Sequence, residues 1–194
     1  MEPRIWRRFL IRKNCSFHEL HDTIQRACGW LDYNLYEFRQ WTGKEPFERG
    51  DGIASSPYDE SWDVDEVIPN GCQVQLADHL PFGGQFKLAY EYDFGDSWLH
   101  LIELKGVQQL PGTSRRHLIG GERAFPPEDC GSITGYERCL QAFVMSETEI
   151  AELDDPAERS ELEMTKQWLG DWHPQRFDFD AITNEFKQRV NWPW

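Results

Sequence analysis

The feature that most constrains this chain is one run of strict alternation. From Phe86 to Phe94 every second residue is a large aromatic or aliphatic one: Phe86, Leu88, Tyr90, Tyr92 and Phe94. A period of two places all five on one face of a β-strand. A second run, Trp98 to Leu104, follows the short link Gly95-Asp96-Ser97, so the two runs read as a β-hairpin. A three-residue link sets Phe94 opposite Trp98 and Tyr92 opposite His100. A two-residue link would set Glu91 opposite His100 instead. Aromatic cross-strand pairing favours the first register. Such a hairpin presents an aromatic face that some other element has to cover.

A helix suited to that task lies upstream. Ser16 and Glu19 form an S-x-x-E capping box, and Phe17, Leu20, Ile24, Ala27 and Cys28 follow on one stripe before Gly29 ends the helix. Ile5–Ile11 reads as a strand before it and Leu35–Trp41 as a strand after it. Gly43–Cys72 is rich in Gly, Pro, Ser and Asp and reads as a long surface excursion holding at most one short strand, with order resuming over Gln73–Leu80. Gly106–Ile133 reads as irregular. Thr134 and Glu137 then open a helix with Tyr136, Leu140, Phe143 and Val144 inward. Asp155-Pro156 begins another, with Leu162, Trp168 and Leu169 on its inner side. Asp180 caps a last helix that buries Ile182, Phe186 and Val190. Strands crowd the first half and helices the second. That order predicts an α+β fold: a mixed, largely antiparallel sheet with a central hairpin, packed by an N-terminal helix and C-terminal helices. The expectation is a single domain over 1–194, with its helical part at about 134–194.

Charge and cysteine usage narrow the function classes. The net charge is −14, which opposes phosphate backbones at long range. Arg4, Arg7, Arg8, Arg12 and Lys13 form one small basic group, and Arg115, Arg116 and His117 another; the plain reading of both is solvated surface. The five cysteines, Cys15, Cys28, Cys72, Cys130 and Cys139, include no C-x-x-C pair and are odd in number. Zinc-ribbon spacing is absent, and a disulfide scaffold is not expected. The first ten residues carry no apolar signal segment, and no apolar run approaches the ~20 residues that cross a bilayer. The expectation is a cytoplasmic protein with reduced thiols and no membrane association.

Several short motifs together resemble the plasmid pRiA4b ORF-3-like family. They are Ile5-Trp6-Arg7-Arg8; the Leu20-His21 to Gly29-Trp30 helix running on into Tyr36-Glu37-Phe38; Tyr92-Asp93-Phe94-Gly95-Asp96 with Trp98 and His100; and Pro126-Pro127-Glu128-Asp129-Cys130-Gly131 with Gly135-Tyr136. Trp168-Leu169-Gly170 and Phe177-Asp178 match the family's ending. Asn34 stands where such proteins often have histidine, and Ser132 stands where a second glycine is common. The resemblance implies a bacterial or archaeal protein, often associated with plasmids or transposons. One branch is labelled an insertion-element passenger protein or resolvase. No catalytic residues come with that label.

The residues that could carry chemistry each have a plainer alternative. His18 and His21 are three apart, one short of the zincin spacing, and His18 lies off the apolar stripe. His21 lies within the stripe, as a hydrogen-bonded core histidine would. Asp93-Phe94-Gly95 lacks every companion of a kinase magnesium motif. Asp93, Asp96 and His100 at a hairpin tip are a candidate divalent-metal set; turn chemistry explains Gly95 and Asp96 as well. Glu128 and Asp129 are a carboxylate pair for acid–base work and Cys130 a candidate nucleophile, or all three anchor a loop. His21, Glu37, Trp98 and Tyr136 are candidate ligand-binding residues, with Trp30, Trp98 and Tyr136 able to wall a pocket. The acidic run from Glu147 to Glu163 is either a solvated face or a surface for a basic partner.

The preferred reading is a binding or accessory module associated with plasmid or mobile-element genes. A protein partner suits it, and the residues suggest no cofactor beyond a divalent metal. The alternatives are a metal-assisted hydrolase using Asp93, Asp96, His100, His21, Glu37, Glu128 or Asp129, and a DNA-transaction factor resting on the mobile-element association alone. The charge makes one expectation measurable. Titrated with random duplex DNA at physiological salt, the protein should give no appreciable change in anisotropy; salt-sensitive micromolar binding would overturn this.

Overall fold

A computed structural model describes residues 3–43, 49–58, 67–80, 86–110, 112 and 114–188. Its strands are β1 (Trp6–Ile11), β2 (Tyr36–Trp41), β3 (Arg49–Ser55), β4 (Lys87–Tyr92), β5 (Trp98–Glu103) and β6 (Arg116–Glu122). Its helices are α1 (Phe17–Cys28), α2 (Ser132–Val144), α3 (Glu147–Ala151), α4 (Pro156–Leu169) and α5 (Phe179–Lys187), with a 3-10 turn over Leu76–His79. The fold is α+β, built on two antiparallel sheets. One is four-stranded in the order β3-β2-β4-β5, and β1 and β6 form the other.

The hairpin exists, with β4 inside the sheet and β5 at its edge, but its register differs from the expectation. Tyr92 pairs with Trp98 and Tyr90 with His100. The connection spans Asp93–Ser97, because Asp93 and Ser97 both adopt left-handed backbone (φ 58° and 53°) and the Ser97 amide donates to the Asp93 carbonyl. Asp93 Oδ1 accepts from the Gly95 and Asp96 amides at 3.0 and 3.3 Å. The strand therefore stops before Phe94, which lies exposed in the turn. Aromatic pairing still sets the register, one step further in.

Alternation turns Tyr36, Phe38, Leu88, Tyr90, Tyr92 and Trp98 to one face, where α1 covers them with Phe17, Leu20 and Ile24. Both ends of α1 are fixed as the sequence predicts. Ser16 and Glu19 form the reciprocal capping box, and Gly29 ends the helix in left-handed backbone. His18, however, is buried rather than off the stripe.

Several other expectations change. The stretch 106–133 is not wholly irregular: it contains β6, which pairs with β1 across a bulge at Arg8/Phe9. Its two glycines resemble loop residues, yet Gly121 is a packing requirement. A Cβ there would lie 2.7 Å from Arg7 Cδ, 2.8 Å from Phe177 and 2.8 Å from the Trp6 carbonyl. The helix expected from Thr134 starts at Ser132 with Gly131 as its N-cap. Its inner face carries Tyr136, as expected, together with Cys139 and Ala142; Leu140 and Phe143 are partly buried and Val144 is exposed. Trp168 is exposed too, leaving Leu162 and Leu169 as the buried residues of α4. Asp155 does cap α4, with Pro156 in its first turn. Asp178, not Asp180, caps α5. Phe186 is buried as expected, Ile182 is partly buried, and Val190 lies outside the described residues.

Most of the two basic groups is exposed, as expected: Arg4, Arg8, Arg12, Lys13, Arg115 and His117 all are, and Arg7 and Arg116 are the exceptions. Arg7 is clamped between the Phe125 and Phe177 rings, at 4.8 and 4.6 Å, and donates to the Ala27 carbonyl at 2.9 Å. Burial lowers its pKa to about 10. Arg116 is buried against Asp22 and Phe186, and Arg26 grips the same aspartate from the next turn of α1. Arg7 thereby ties the β1–β6 sheet to α1, and Arg116 ties β6 and α5 to it.

Candidate functional site

Three segments far apart in sequence meet at one end of the four-stranded sheet: the α1–β2 link (29–35), the β4–β5 turn (93–97), and the 126–131 loop that leads into α2. Prolines 126 and 127 stiffen the last. Glu128 is the common partner. One oxygen accepts the Leu31 amide at 2.5 Å, and the other accepts the Tyr92 hydroxyl. Trp30 Nε1 donates to the Pro126 carbonyl at 2.9 Å, while the Trp30 ring stacks on Tyr92 at 5.1 Å. Asn34 donates through its side chain to Asp129 Oδ1 and through its backbone to the Tyr92 hydroxyl, both at 3.3 Å. The Gly131 amide donates to Asp96 Oδ2 at 3.0 Å, and the Asp93 amide to the Leu35 carbonyl.

The backbone here is unusual as well. Asp32, Asp93, Ser97, Asp129 and Ser132 all have φ between 53° and 63°. Left-handed backbone costs a residue with a side chain on the order of 1–2 kcal/mol. Such residues persist where surrounding bonds over-determine the loop. Ser132, standing where the resembled family commonly has glycine, is one of them.

Behind the loops lies a buried polar ladder. His21 has no exposed surface and uses both ring nitrogens: Nε2 meets Asp32 Oδ1 at 2.8 Å and Nδ1 meets the Tyr90 hydroxyl at 2.9 Å. Its ring lies flat on Tyr36 at 3.7 Å. His18 Nδ1 meets the Tyr36 hydroxyl at 2.8 Å, and Gln25 donates to the Tyr90 hydroxyl at 3.0 Å. Burial raises the Tyr36 and Tyr90 phenols. Burial, with His21 nearby, keeps His18 below the usual imidazole range.

The sequence-derived candidates thus divide. Asp96, Glu128, Asp129, His21 and Trp98 come together on the α1 side of the sheet, with Asp93 in the adjoining turn. Trp98 is buried against Trp30 at 6.0 Å. His100 shares that side, but its ring is enclosed by Trp30, Tyr90 and Phe125 at 5.5, 5.3 and 5.8 Å, and its Nδ1 donates to the Trp98 carbonyl at 3.0 Å. Asp93 and Asp96 meet other partners, the amides of the turn and of Gly131. No group of three His, Cys, Asp or Glu side chains among the described residues could hold a metal ion. Tyr136 packs on Trp172 further along. Cys130 packs against the apolar cluster that includes Cys139 of α2. Glu37 lies on the opposite face of the sheet, held by Arg39 at 2.6 and 3.0 Å and directly across from Glu91. Strand alternation makes that placement inevitable once Tyr36 and Phe38 face α1.

Sequence reasoning missed Leu31, Asp32 and Tyr33, and marked Asn34 only as a departure from the resembled family. Their signal was a mixed apolar, polar and aromatic tetrapeptide one residue beyond the C-cap glycine. Asp32 completes the histidine ladder. Leu31, Tyr33 and Phe94 stand exposed on the joined loops, among Asp32, Asp93, Asp96 and Asp129. A cavity of about 390 Å³ lies elsewhere, lined by Gln40, Trp41, Ile53, His79, Phe86, Lys87 and Leu88. No helix among the described residues is long and apolar enough to cross a membrane.

Comparison with known proteins gives one consistent picture. The family profile described as plasmid pRiA4b ORF-3-like protein matches residues 1–181. An uncharacterized protein, y4hQ, of Sinorhizobium fredii is 29% identical over 188 residues, covering 97% of this chain and 82% of the relative. A crystal structure of a protein of unknown function from Methanosarcina mazei Go1 superposes with a TM-score of 0.64 at 28% identity, covering 93% of this chain and 90% of that one. None of these descriptions carries an activity, so neither the hydrolase nor the DNA-transaction alternative gains support from them.

The enclosed histidine yields a pH prediction. Burial lowers the His100 pKa from 6.5 to about 4. The unfolded chain therefore binds this proton at higher pH than the folded one. His100 contributes stability that is present above about pH 6.5 and is lost as the pH falls toward 4. Melting temperatures measured from pH 7 to pH 4 should fall less steeply for His100→Gln than for the wild type. Equal slopes would contradict this.

Proposed function

The chain belongs to the plasmid pRiA4b ORF-3-like family, and from that premise we propose that it is a non-catalytic binding module that engages a basic, apolar-bearing segment of a partner protein. The observation that carries this reading is the state of the groups that could do chemistry. Glu128, Asp96, Asp129, His21 and His100 all serve hydrogen bonds that hold the fold together. An active acid, base or nucleophile needs an atom directed at a substrate. What the joined loops direct outward is apolar surface, Leu31, Tyr33 and Phe94, set among aspartates. A chain of net charge −14 favours encounter with a basic partner. Rigid loops also lower the ordering cost of binding.

The same proposal places the protein in the cytoplasm, as one domain over 1–194; its five cysteines, all free thiols, suit a reducing compartment. An accessory role alongside plasmid-borne genes rests on the family's description. The hydrolase alternative needs Asp93, Asp96 and His100 to share a ligand, and their side chains point to different partners.

A labelled peptide of alternating lysine and leucine serves as the probe. It should bind the protein in a salt-weakened manner, and a glutamate–leucine counterpart should not. The triple variant Leu31→Ser, Tyr33→Ser, Phe94→Ser should bind at least about tenfold more weakly, ~1.4 kcal/mol, with an unchanged melting temperature. Equal binding by the variant, or by the acidic peptide, would refute the reading.

A further inference from the structure

The 126–131 loop joins α2 in a way that the platform does not explain. Gly131, with φ 91°, caps α2 without a side-chain bond, and the chain folds back so that Cys130 lies against the first turn of the helix. Gly135 makes room for it. A Cβ at Gly135 would fall on the Cys130 carbonyl oxygen and would lie 3.9 Å from its Cα. Cys139 sits one turn beyond Gly135, and helical side chains lean toward the N-terminus, back over that gap. Cys130 and Cys139 pack into one apolar cluster with Ala142, Ile150, Leu162 and Leu169. Both are free thiols, and the Cys130 S–H donates to the Ser132 carbonyl at 3.9 Å.

We propose that Cys130 and Cys139 form a redox modification site, at which a small disulfide of the glutathione class converts the two thiols to a reversible intrachain disulfide. Access fixes the order of events. Cys139 is 1% exposed, whereas Cys130 is only partly buried, so the oxidant meets Cys130 first. Cys130 loses its proton to solvent, its sulfur attacks one sulfur of glutathione disulfide, and one glutathione leaves as a thiolate that takes up a proton. The Cys139 sulfur, its own proton lost to solvent, then attacks Cys130 Sγ and expels the second glutathione, which is protonated in turn. Two electrons and two protons pass from the cysteine pair to glutathione disulfide, giving two glutathione thiols.

Packing prepares the second step: Cys130 lies against the apolar cluster that holds Cys139, so once Cys130 carries glutathione the Cys139 sulfur is the neighbouring thiol that can attack it. In the reduced protein the neighbouring Cys139 and burial hold the Cys130 thiol above its ordinary range. Elsewhere burial opposes ionisation: it pushes Cys15 up to about 12 and Cys28 higher still. The bond formed would tether the loop carrying Glu128 and Asp129 to α2.

The test uses the full chain, exposed to glutathione disulfide, alkylated and digested with trypsin. Cleavage after Arg123, Arg138 and Arg159 places the two cysteines on separate peptides, 124–138 and 139–159. The expected result is loss of two of the five thiols and a linked 124–138/139–159 species that dithiothreitol separates. Cys72→Ser should leave it intact, and Cys130→Ser or Cys139→Ser should abolish it. Gly135→Ala, which forces Cys130 off the helix, should slow its formation at least about tenfold, as should unfolding the wild type in urea. A stable glutathione adduct on Cys130 without the link, thiol loss confined to other cysteines, or linkage equally fast in urea would each overturn the proposal. The urea comparison needs no variant to fold.

Discussion

One carboxylate holds this end of the molecule together. Glu128 accepts a backbone amide from the α1–β2 link and a hydroxyl from β4, and by doing so fixes the loop that opens α2. Residues nearly a hundred positions apart are thereby placed side by side. Tyr92 has no exposed surface, so its hydroxyl relies on partners within the fold. A buried donor left without one costs roughly 1–3 kcal/mol. Burial and the bond to Glu128 both hold this phenol protonated, and protonated it can donate. The remaining ties, Asn34 to Asp129 and Gly131 to Asp96, are weaker individually and depend on the loops having already been brought together.

The histidine ladder reinforces the same junction from beneath. His21 links Asp32, in the α1–β2 link, to Tyr90, in the middle of the sheet, and stacks on Tyr36 between them. Asp32 holds left-handed backbone while presenting its carboxylate to the ring. The loops over this network are therefore an extension of the core, and their exposed apolar side chains sit on a support that resists rearrangement. That rigidity connects the fold to the proposed binding role: a preformed surface loses little conformational entropy when a partner arrives.

Much of the fold was readable in the sequence because its signals are local. The capping box at Ser16 and Glu19, the C-cap at Gly29 and the alternation from Phe86 to Tyr92 each depend on neighbours a few residues away, and each appears in the structure. What could not be read was non-local. β6 looks irregular because its glycines answer to Arg7, Trp6 and Phe177, none of them nearby in sequence. The hairpin register turned on whether Asp93 and Ser97 would enter left-handed backbone, a choice stabilised by contacts across the turn. Glu37 and Glu128 looked like equivalent candidates, yet strand alternation sends the first to the far face and a proline-stiffened loop delivers the second to the junction. Asp32 carried no recognisable motif and Asn34 stood out only as a departure from the resembled family; the importance of both lies in what they meet.

Hydrogen–deuterium exchange of the Glu128→Ala variant against the wild type tests the central claim most directly. If this one side chain locks the three loops, amide protection should fall together in peptides covering 29–35, 93–97 and 126–131, while β1, β6 and α4 exchange as before. Faster exchange confined to 126–131, with the other two loops as protected as in the wild type, would contradict the account.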